Sequence, residues 1–303
     1  MNFSRKLTWG ALVAALAFIF ILTGCNNGST GDGGKATQLS ATAANFDEVF
    51  KSVRYKPGNY VINLKEDLID YPGIDKYNAE VNITVKGTGS NKITWKFAGN
   101  TLFSVFAGKL TLENINLSSS AGNTQECPPI IVVYGGTLEI KNGVTLSNNV
   151  GNQFYDGVVI NNAAFIMSGG TIEKCAYGVG GSGTNVSITM SGGIIRNNAY
   201  GGIFGFGSNI SITMSGGSIG GNAGWGVVIE GKNCEFEKQK GAVIYGKTGA
   251  DKNGGGAIRL KLPLTDSNIL SLTTDAASND VYAAKINERG NGLVAGSQIG
   301  TWD

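Results

Sequence analysis

One phrase occurs three times in close succession, and its spacing constrains the fold more than any other feature of the chain. Phe165-Ile-Met-Ser-Gly-Gly-Thr-Ile172 returns as Ile188-Thr-Met-Ser-Gly-Gly-Ile-Ile195 and as Ile212-Thr-Met-Ser-Gly-Gly-Ser-Ile219. The methionines stand at 167, 190 and 214, so the steps are 23 and then 24 residues. A period between about 20 and 50 residues marks solenoids, propellers or arrays.

Within the phrase, polarity alternates. Val186, Ile188 and Met190 fall on one face, with Ser187 and Thr189 on the other. The next copy sets Ile210, Ile212 and Met214 against Ser211 and Thr213. Alternation of this kind is a half-buried strand. The Gly-Gly pair that follows suits a corner, because glycine reaches positive φ without a Cβ clash. A short apolar stretch comes next (Thr171-Ile172, Ile194-Ile195, Ser218-Ile219), then a polar bend, then Gly201-Gly-Ile-Phe204 or Gly226-Val-Val-Ile229. Each repeat therefore supplies three short strands and three turns, with no helical periodicity. A unit this small cannot bury its apolar face by itself, but coiled copies stacked at about 4.8 Å can.

Two asparagine series keep the same register. Asn162, Asn185, Asn209 and Asn233 are separated by 23, 24 and 24 residues. Asn149, Cys175, Asn198 and Asn222 are separated by 26, 23 and 24. Stacked asparagines at a bend hydrogen-bond along the stack and tolerate left-handed backbone. The register also continues where the wording fades. Lys238, Gly241 and Val243 lie 24 residues beyond Met214, Gly217 and Ile219. Cys234 and Phe236 replace Ile210 and Ile212, while Glu235 and Glu237 replace Ser211 and Thr213. Upstream, Leu138-Glu-Ile-Lys-Asn-Gly143, Leu110-Thr-Leu-Glu-Asn114 and Val81-Asn-Ile-Thr-Val85 read as degenerate coils. Roughly seven or eight coils over residues 80–275 predict a rod about 35–40 Å long.

Coils of this length, T-M-S-G-G turns and asparagine ladders resemble the right-handed parallel β-helix repeat of the pectin-lyase-like superfamily. The T-M-S-G-G wording is similar to that of a subgroup found in bacterial surface lipoproteins. The likeness is strongest over residues 130–245. It implies an all-β chain, a single right-handed parallel β-helix with three short strands per coil.

The ends read differently. Arg5 and Lys6, an apolar run from Gly10 to Leu22, and Leu22-Thr-Gly-Cys25 make a secretory signal peptide over 1–24. Its ending resembles a bacterial lipobox, which implies lipidation of Cys25 and a location in the cell envelope, at the outer membrane or cell surface. The apolar run is too short to span a bilayer comfortably. The chain has 24 Lys+Arg and 22 Asp+Glu, and losing Arg5 and Lys6 leaves 22 against 22. A formally neutral body gives no reason to expect a nucleic-acid partner. Residues 25–44, small and polar, read as the lipidated cysteine and a flexible tether. Residues 45–79 read as an N-terminal cap, in which Phe46, Val49, Phe50 and Val53 form a helical stripe with Asn45 as its N-cap. Such a helix would cover the open edge of the first coil. Residues 276–303 read as a C-terminal cap.

The chain has no histidine. That excludes Ser-His-Asp and Cys-His catalysis and histidine metal sites. The resemblance would lead one to expect clustered carboxylates holding calcium beside a basic residue. Glu235 and Glu237 share a face but the coil below offers Ser211 and Thr213 there, Asp156 and Glu173 read as isolated, and Arg259 with Lys261 lacks an acidic companion. No catalytic residue, cofactor or metal is assigned. Cys127, Cys175 and Cys234 read as free thiols, with a Cys127–Cys175 disulfide open. Tyr155, Tyr177, Tyr200 and Trp225, spaced by 22, 23 and 25 residues, recur near one corner. If they project outward, they form a strip able to stack on a glycan; the other reading is packing within the corner. The loop over 121–129 is a further decoration of the repeat. The expected function is that of a membrane-tethered, non-enzymatic binding, adhesion or structural module with a polysaccharide or surface-protein partner. The rival is a polysaccharide lyase or hydrolase acting on acidic polysaccharide.

Overall fold

A computed structural model describes residues 35–76, 79–95, 101–119, 128–148, 155–239, 241–246, 250–261 and 269–272. The alternation read from the sequence becomes three stacks of strands. Sheet A comprises Thr37–Ala41, Gly58–Leu64, Val81–Lys86, Lys109–Glu113, Thr137–Ile140, residues 164–167, 187–190 and 211–214, Glu235–Lys238 and Ile269–Leu272. Sheet B comprises Leu68–Tyr71, Lys92–Trp95, Asn116–Ser119, Thr145–Ser147, residues 171–173, 194–196 and 218–219, and Val243–Ile244. Sheet C comprises Ile74–Lys76, Phe103–Val105, Ile131–Val133, Val158–Asn161, residues 179–182 and 203–208, Trp225–Lys232 and Gly256–Lys261. Every pairing is parallel, and about eight turns stack into an all-β solenoid.

Inward residues repeat coil after coil. On sheet A, Ile62, Val85, Leu112, Ile140, Met167, Met190 and Met214 form one buried row, and Lys238 takes the next slot while remaining 1% exposed. Because each coil buries its apolar face only against its neighbours, the core is a column rather than a ball.

The Met-Ser-Gly-Gly phrase is explained by contacts between copies. The second glycine of each pair, Gly170, Gly193 or Gly217, has φ of 80°, 87° or 80°. A Cβ on Gly193 would lie 2.6 Å from the ε-methyl of Met167, and one on Gly217 would lie 2.6 Å from that of Met190. The first glycine leaves room for the serine carbonyl of the coil below: a Cβ on Gly192 would meet Ser168 O at 2.4 Å, and one on Gly216 would meet Ser191 O at 2.3 Å. Met167 and Met190 thus each fill the gap left by the second glycine of the following copy.

The two asparagine series take different roles. Asn162, Asn185, Asn209 and Asn233 precede sheet A with φ between 51° and 59°, the left-handed conformation that asparagine tolerates. Asn209 Nδ2 donates to Asn185 Oδ1 at 3.1 Å, but Asn162 Oδ1 accepts from the Thr184 N–H at 2.6 Å, so the amides do not link throughout. The second series lies inside the B–C corner and is buried. Asn253 Oδ1 accepts from Asn222 N and Nδ2, Asn222 Oδ1 from Asn198 N and Nδ2, and Asn198 Oδ1 from Cys175 N, at 2.9–3.1 Å. Below Cys175 the slot belongs to Asn148, which is 2% exposed and accepts from the Ser119 hydroxyl at 2.6 Å. Asn149, read into that slot from spacing, lies outside the described residues. Asn253 was missed because 31 residues separate it from Asn222.

Helix α1, Phe46–Val53, forms where the stripe predicts, with Phe46, Phe50 and Val53 buried. Phe46 meets Tyr71 edge-on at 5.4 Å between centroids, and Phe50 lies 6.3 Å from Phe103. Three expectations for this end are corrected. Asn45 makes no side-chain cap bond; its Oδ1 instead accepts from the Thr42 N–H at 2.7 Å, closing the turn before the helix. Thr37–Ala41, inside the span read as tether, pairs in register with Tyr60–Leu64. Residues 58–76, read as cap, already form a coil.

Candidate ligand-binding face

Among the described residues, four of the five exposed aromatic side chains, Phe106, Tyr134, Tyr200 and Phe206, lie on the outer surface of sheet C or at its entry corner; the fifth, Tyr55, follows helix α1. The inward row of sheet C runs from the aromatic Phe103 into aliphatic residues, Ile131, Val158, Val179 and Ile203. The alternate positions face out in two rows. The first runs Ser104, Val132, Val159, Gly180, Phe204, Val228, Arg259. The second continues from Phe106 and Tyr134, one residue past their paired strands, through Asn161, Ser182 and Phe206 to Glu230. Val132 and Val228 are buried without belonging to the central core.

Tyr155, Tyr177, Tyr200 and Trp225 do not form one row. Tyr177 pairs with Gly201, and Gly201 with Trp225. Tyr200 N–H donates to Ala176 O and Ala176 N–H to Tyr155 O, so Tyr155 and Tyr200 occupy the preceding position of the coil. The even residue spacing conceals this one-residue offset. Moreover, a Cβ on Gly201 would lie 2.9 Å from Tyr177 Cε1, and one on Gly255 would lie 2.6 Å from Trp225 Cδ1. Tyr177 and Trp225 therefore each lie over a glycine of the coil above. That is packing at a corner, and it removes part of the flat strip expected from the sequence.

The structure brings other rings together. Phe106 and Tyr134, one coil apart, stack at 5.0 Å with planes 15° apart. Tyr177 and Phe204, also one coil apart, stack at 5.0 Å and 22°. Phe204 and Phe206 are parallel within 11° at 6.4 Å, and Tyr200 tilts against Tyr177 at 5.9 Å. The two 5.0 Å pairs, Tyr134 over Phe106 and Phe204 over Tyr177, are offset stacks between consecutive coils, and Phe206 shares the orientation of Phe204. The rings therefore stand upright on the sheet, with faces turned along the solenoid axis. Tyr134, Tyr200 and Phe206 are 51%, 44% and 57% exposed. Phe204 and Phe206 were legible in principle: they fall out of phase with the inward Ile203 in Gly201-Gly-Ile-Phe-Gly-Phe206.

Asp156 enters this face from the side. Its Oδ1 accepts from the Tyr177 N–H at 3.1 Å. Its Oδ2 lies 2.3 Å from where a Gly180 Cβ would stand, so the carboxylate occupies the space that Gly180 leaves in the first outward row. Burial pushes its pKa up to about 6, against an opposing pull from the Tyr177 N–H. Burial, and then the Asp156 carboxylate, raise the Tyr177 pKa. Asp156 read as an isolated surface charge, and it is instead half-buried among rings. Glu173 is not isolated either: its Oε2 accepts from Arg196 Nε at 2.9 Å. Glu235 lies on the outer face of sheet A and Arg259 on that of sheet C, with Glu237 beside Glu235 in alternate register.

The Asp156 shift makes a stability prediction. A folded-state pKa above the ordinary value near 3.8 means that the native chain holds this proton more tightly than the unfolded chain. Between about pH 4 and 6 the unfolded state has lost a proton that the native state keeps, so stability falls as pH rises through that window. Asp156→Asn keeps the acceptor for Tyr177 and removes the titration. It is expected to match the parent near pH 4 and to exceed it by about 2–3 kcal/mol at pH 8. Urea unfolding at the two pH values checks this, and an equal effect at both would refute it.

Cys175 and Cys234 are buried, and burial pushes the Cys175 thiol up to about 12. Cys25, Cys127 and the 121–127 part of the loop lie outside the described residues. Among the described residues no three His, Cys, Asp or Glu side chains come together as a metal site. Compared with known protein families, curated proteins and solved structures, the chain matches none.

Proposed function

We propose that this chain is a lipid-anchored rod of the cell envelope that binds glycans through the outer face of sheet C without catalysing their cleavage. In this reading the solenoid is a right-handed β-helix of the pectin-lyase-like kind. The leader is removed before Cys25, whose lipid holds the rod at the outer membrane or cell surface. The observation that carries the reading is the set of rings left in water on one flank, Tyr134, Tyr200 and Phe206. Coil packing does not require them, because the inward positions already fill the core. Upright aromatic edges and faces beside amide, hydroxyl and carboxylate groups suit a ligand that is apolar on one side and hydroxylated on the other.

Two measurements test it. The full chain, purified in detergent, is expected to be retained on a glycan array. Phe206→Ala and Tyr200→Ala should each reduce that retention about tenfold while changing stability by under about 0.5 kcal/mol. Retention by no glycan at all would overturn the glycan reading. Incorporation of a clickable fatty-acid analogue, lost in Cys25→Ser, checks the anchor.

A further inference from the structure

The upright rings leave a gap. Tyr134 closes a stack over Phe106, and its other face looks along the axis toward Asn161. Three coils separate Tyr134 from Phe206, through Asn161 and Ser182. Phe206 is parallel to Phe204, and Phe204 is covered on its lower side by Tyr177. The corresponding side of Phe206 looks over Ser182, a small residue. Two aromatic walls therefore face each other across two coils that carry no ring in that row.

Three coil steps put the walls about 14 Å apart, which leaves roughly 10 Å between ring faces after van der Waals thickness is removed. The floor is polar. Asn161 Oδ1 accepts from Asn162 Nδ2 at 2.8 Å, which leaves the Asn161 Nδ2 as a donor. Ser182 adds a hydroxyl. Asp156 Oδ2 lies at Gly180, and its sister oxygen is held by the Tyr177 N–H. Among the described residues, the outward positions between Phe106 and Phe206 contain no lysine or arginine; the Asp156 carboxylate lies at Gly180, while Glu230 and Arg259, from coils above Phe206, act on the neighbouring Tyr177 with opposite signs.

We infer that the cleft between Tyr134 and Phe206 binds a neutral glycan running along the strands, across the solenoid axis, with a sugar face against an aromatic wall and a hydroxyl donated to Asp156 Oδ2. This rests on the glycan-binding reading and narrows it to one cleft and one charge class. An anionic polysaccharide is disfavoured because the cleft offers a carboxylate and no basic side chain. The direction follows from the walls: a sugar ring stacked on a face that points along the axis must itself stand across the axis.

The test is calorimetric titration of the full chain in detergent with neutral hexaoses of gluco, manno, xylo and N-acetylchito configuration, and with an oligogalacturonate of equal length. At least one neutral hexaose should bind and the oligogalacturonate should not. Ser182→Trp, which fills the gap, should abolish binding. Tyr134→Ala, Phe206→Ala and Asp156→Asn should each weaken it about tenfold or more. Unfolding midpoints measured alongside show that the variants remain folded. If Ser182→Trp binds as the parent does while Tyr200→Ala does not, glycan binding stands and the cleft is wrong. Tighter binding of the oligogalacturonate overturns the neutral class. If no glycan binds and Ser182→Trp instead abolishes capture of a protein, the broader reading falls with the cleft.

Discussion

Replacing Asn222 with alanine is expected to destabilise the chain by about 3–5 kcal/mol, the largest effect of any single side chain outside the apolar column. The Asn222 amide sits in the middle of the buried series at 1% exposure. Its Oδ1 receives both the backbone N–H and the side-chain Nδ2 of Asn198, at 3.0 and 2.9 Å. Its Nδ2 donates to Asn253 Oδ1 at 2.9 Å and to Ile195 O at 3.4 Å. Truncation would leave two donors of Asn198 facing a void, and each unsatisfied buried donor costs about 1–3 kcal/mol. Asn209→Ala is the internal control. It removes one exposed inter-coil bond and a left-handed asparagine at φ 55°, so about 1 kcal/mol is expected. The drops in urea-unfolding midpoint relative to the parent should differ severalfold between the two variants. Equal losses would mean that the inner series contributes only turn conformation.

Gly217→Ala should cost about 2–4 kcal/mol, through two separable causes. The backbone stands at φ 80°, where an L side chain is strained by about 1–2 kcal/mol. The new methyl would also meet the Met190 ε-methyl at 2.6 Å and Gly193 O at 2.7 Å, and overpacking typically adds about 1–3 kcal/mol. Gly241→Ala isolates the first cause. Its φ is 91°, but the nearest atom to an added Cβ is Ser215 O at 3.5 Å. Combining Gly217→Ala with Met190→Ala isolates the second, because the alanine at 190 vacates the space that the new methyl needs. The double variant should be more stable than the sum of the singles by about 1–2 kcal/mol. Strict additivity would show that Met190 and Gly217 are not coupled.

These contacts show what was legible in the chain. Alternation in Val186 to Met190 and the repeat of 23–24 residues are properties of local polarity and of stacking, so they gave the strands, the three sheets and the inward methionines. The reason that methionine and glycine travel together was hidden, because the partners belong to different copies. Thr37–Ala41 was hidden as well. Its small polar sequence resembles a linker, and it becomes a strand through pairing with Tyr60–Leu64. At the candidate site, counting residues suggested one aromatic row. The backbone places Tyr155 and Tyr200 one position before Tyr177 and Trp225. The wall residue Phe206 was marked only by its phase relative to Ile203. Tyr134 gave no sign, since its importance depends on a ring one coil below it.

The column-like core has a consequence for how the molecule resists damage. A coil that touches only its neighbours is lost from an end inward, so opening, proteolytic trimming and exchange of amide protons should advance from both termini. Residues 131–206, which carry both walls of the cleft, lie in the middle of the stack. A chain nicked or frayed at its outer coils would therefore keep its proposed recognition surface until late. The terminal coils act as sacrificial length.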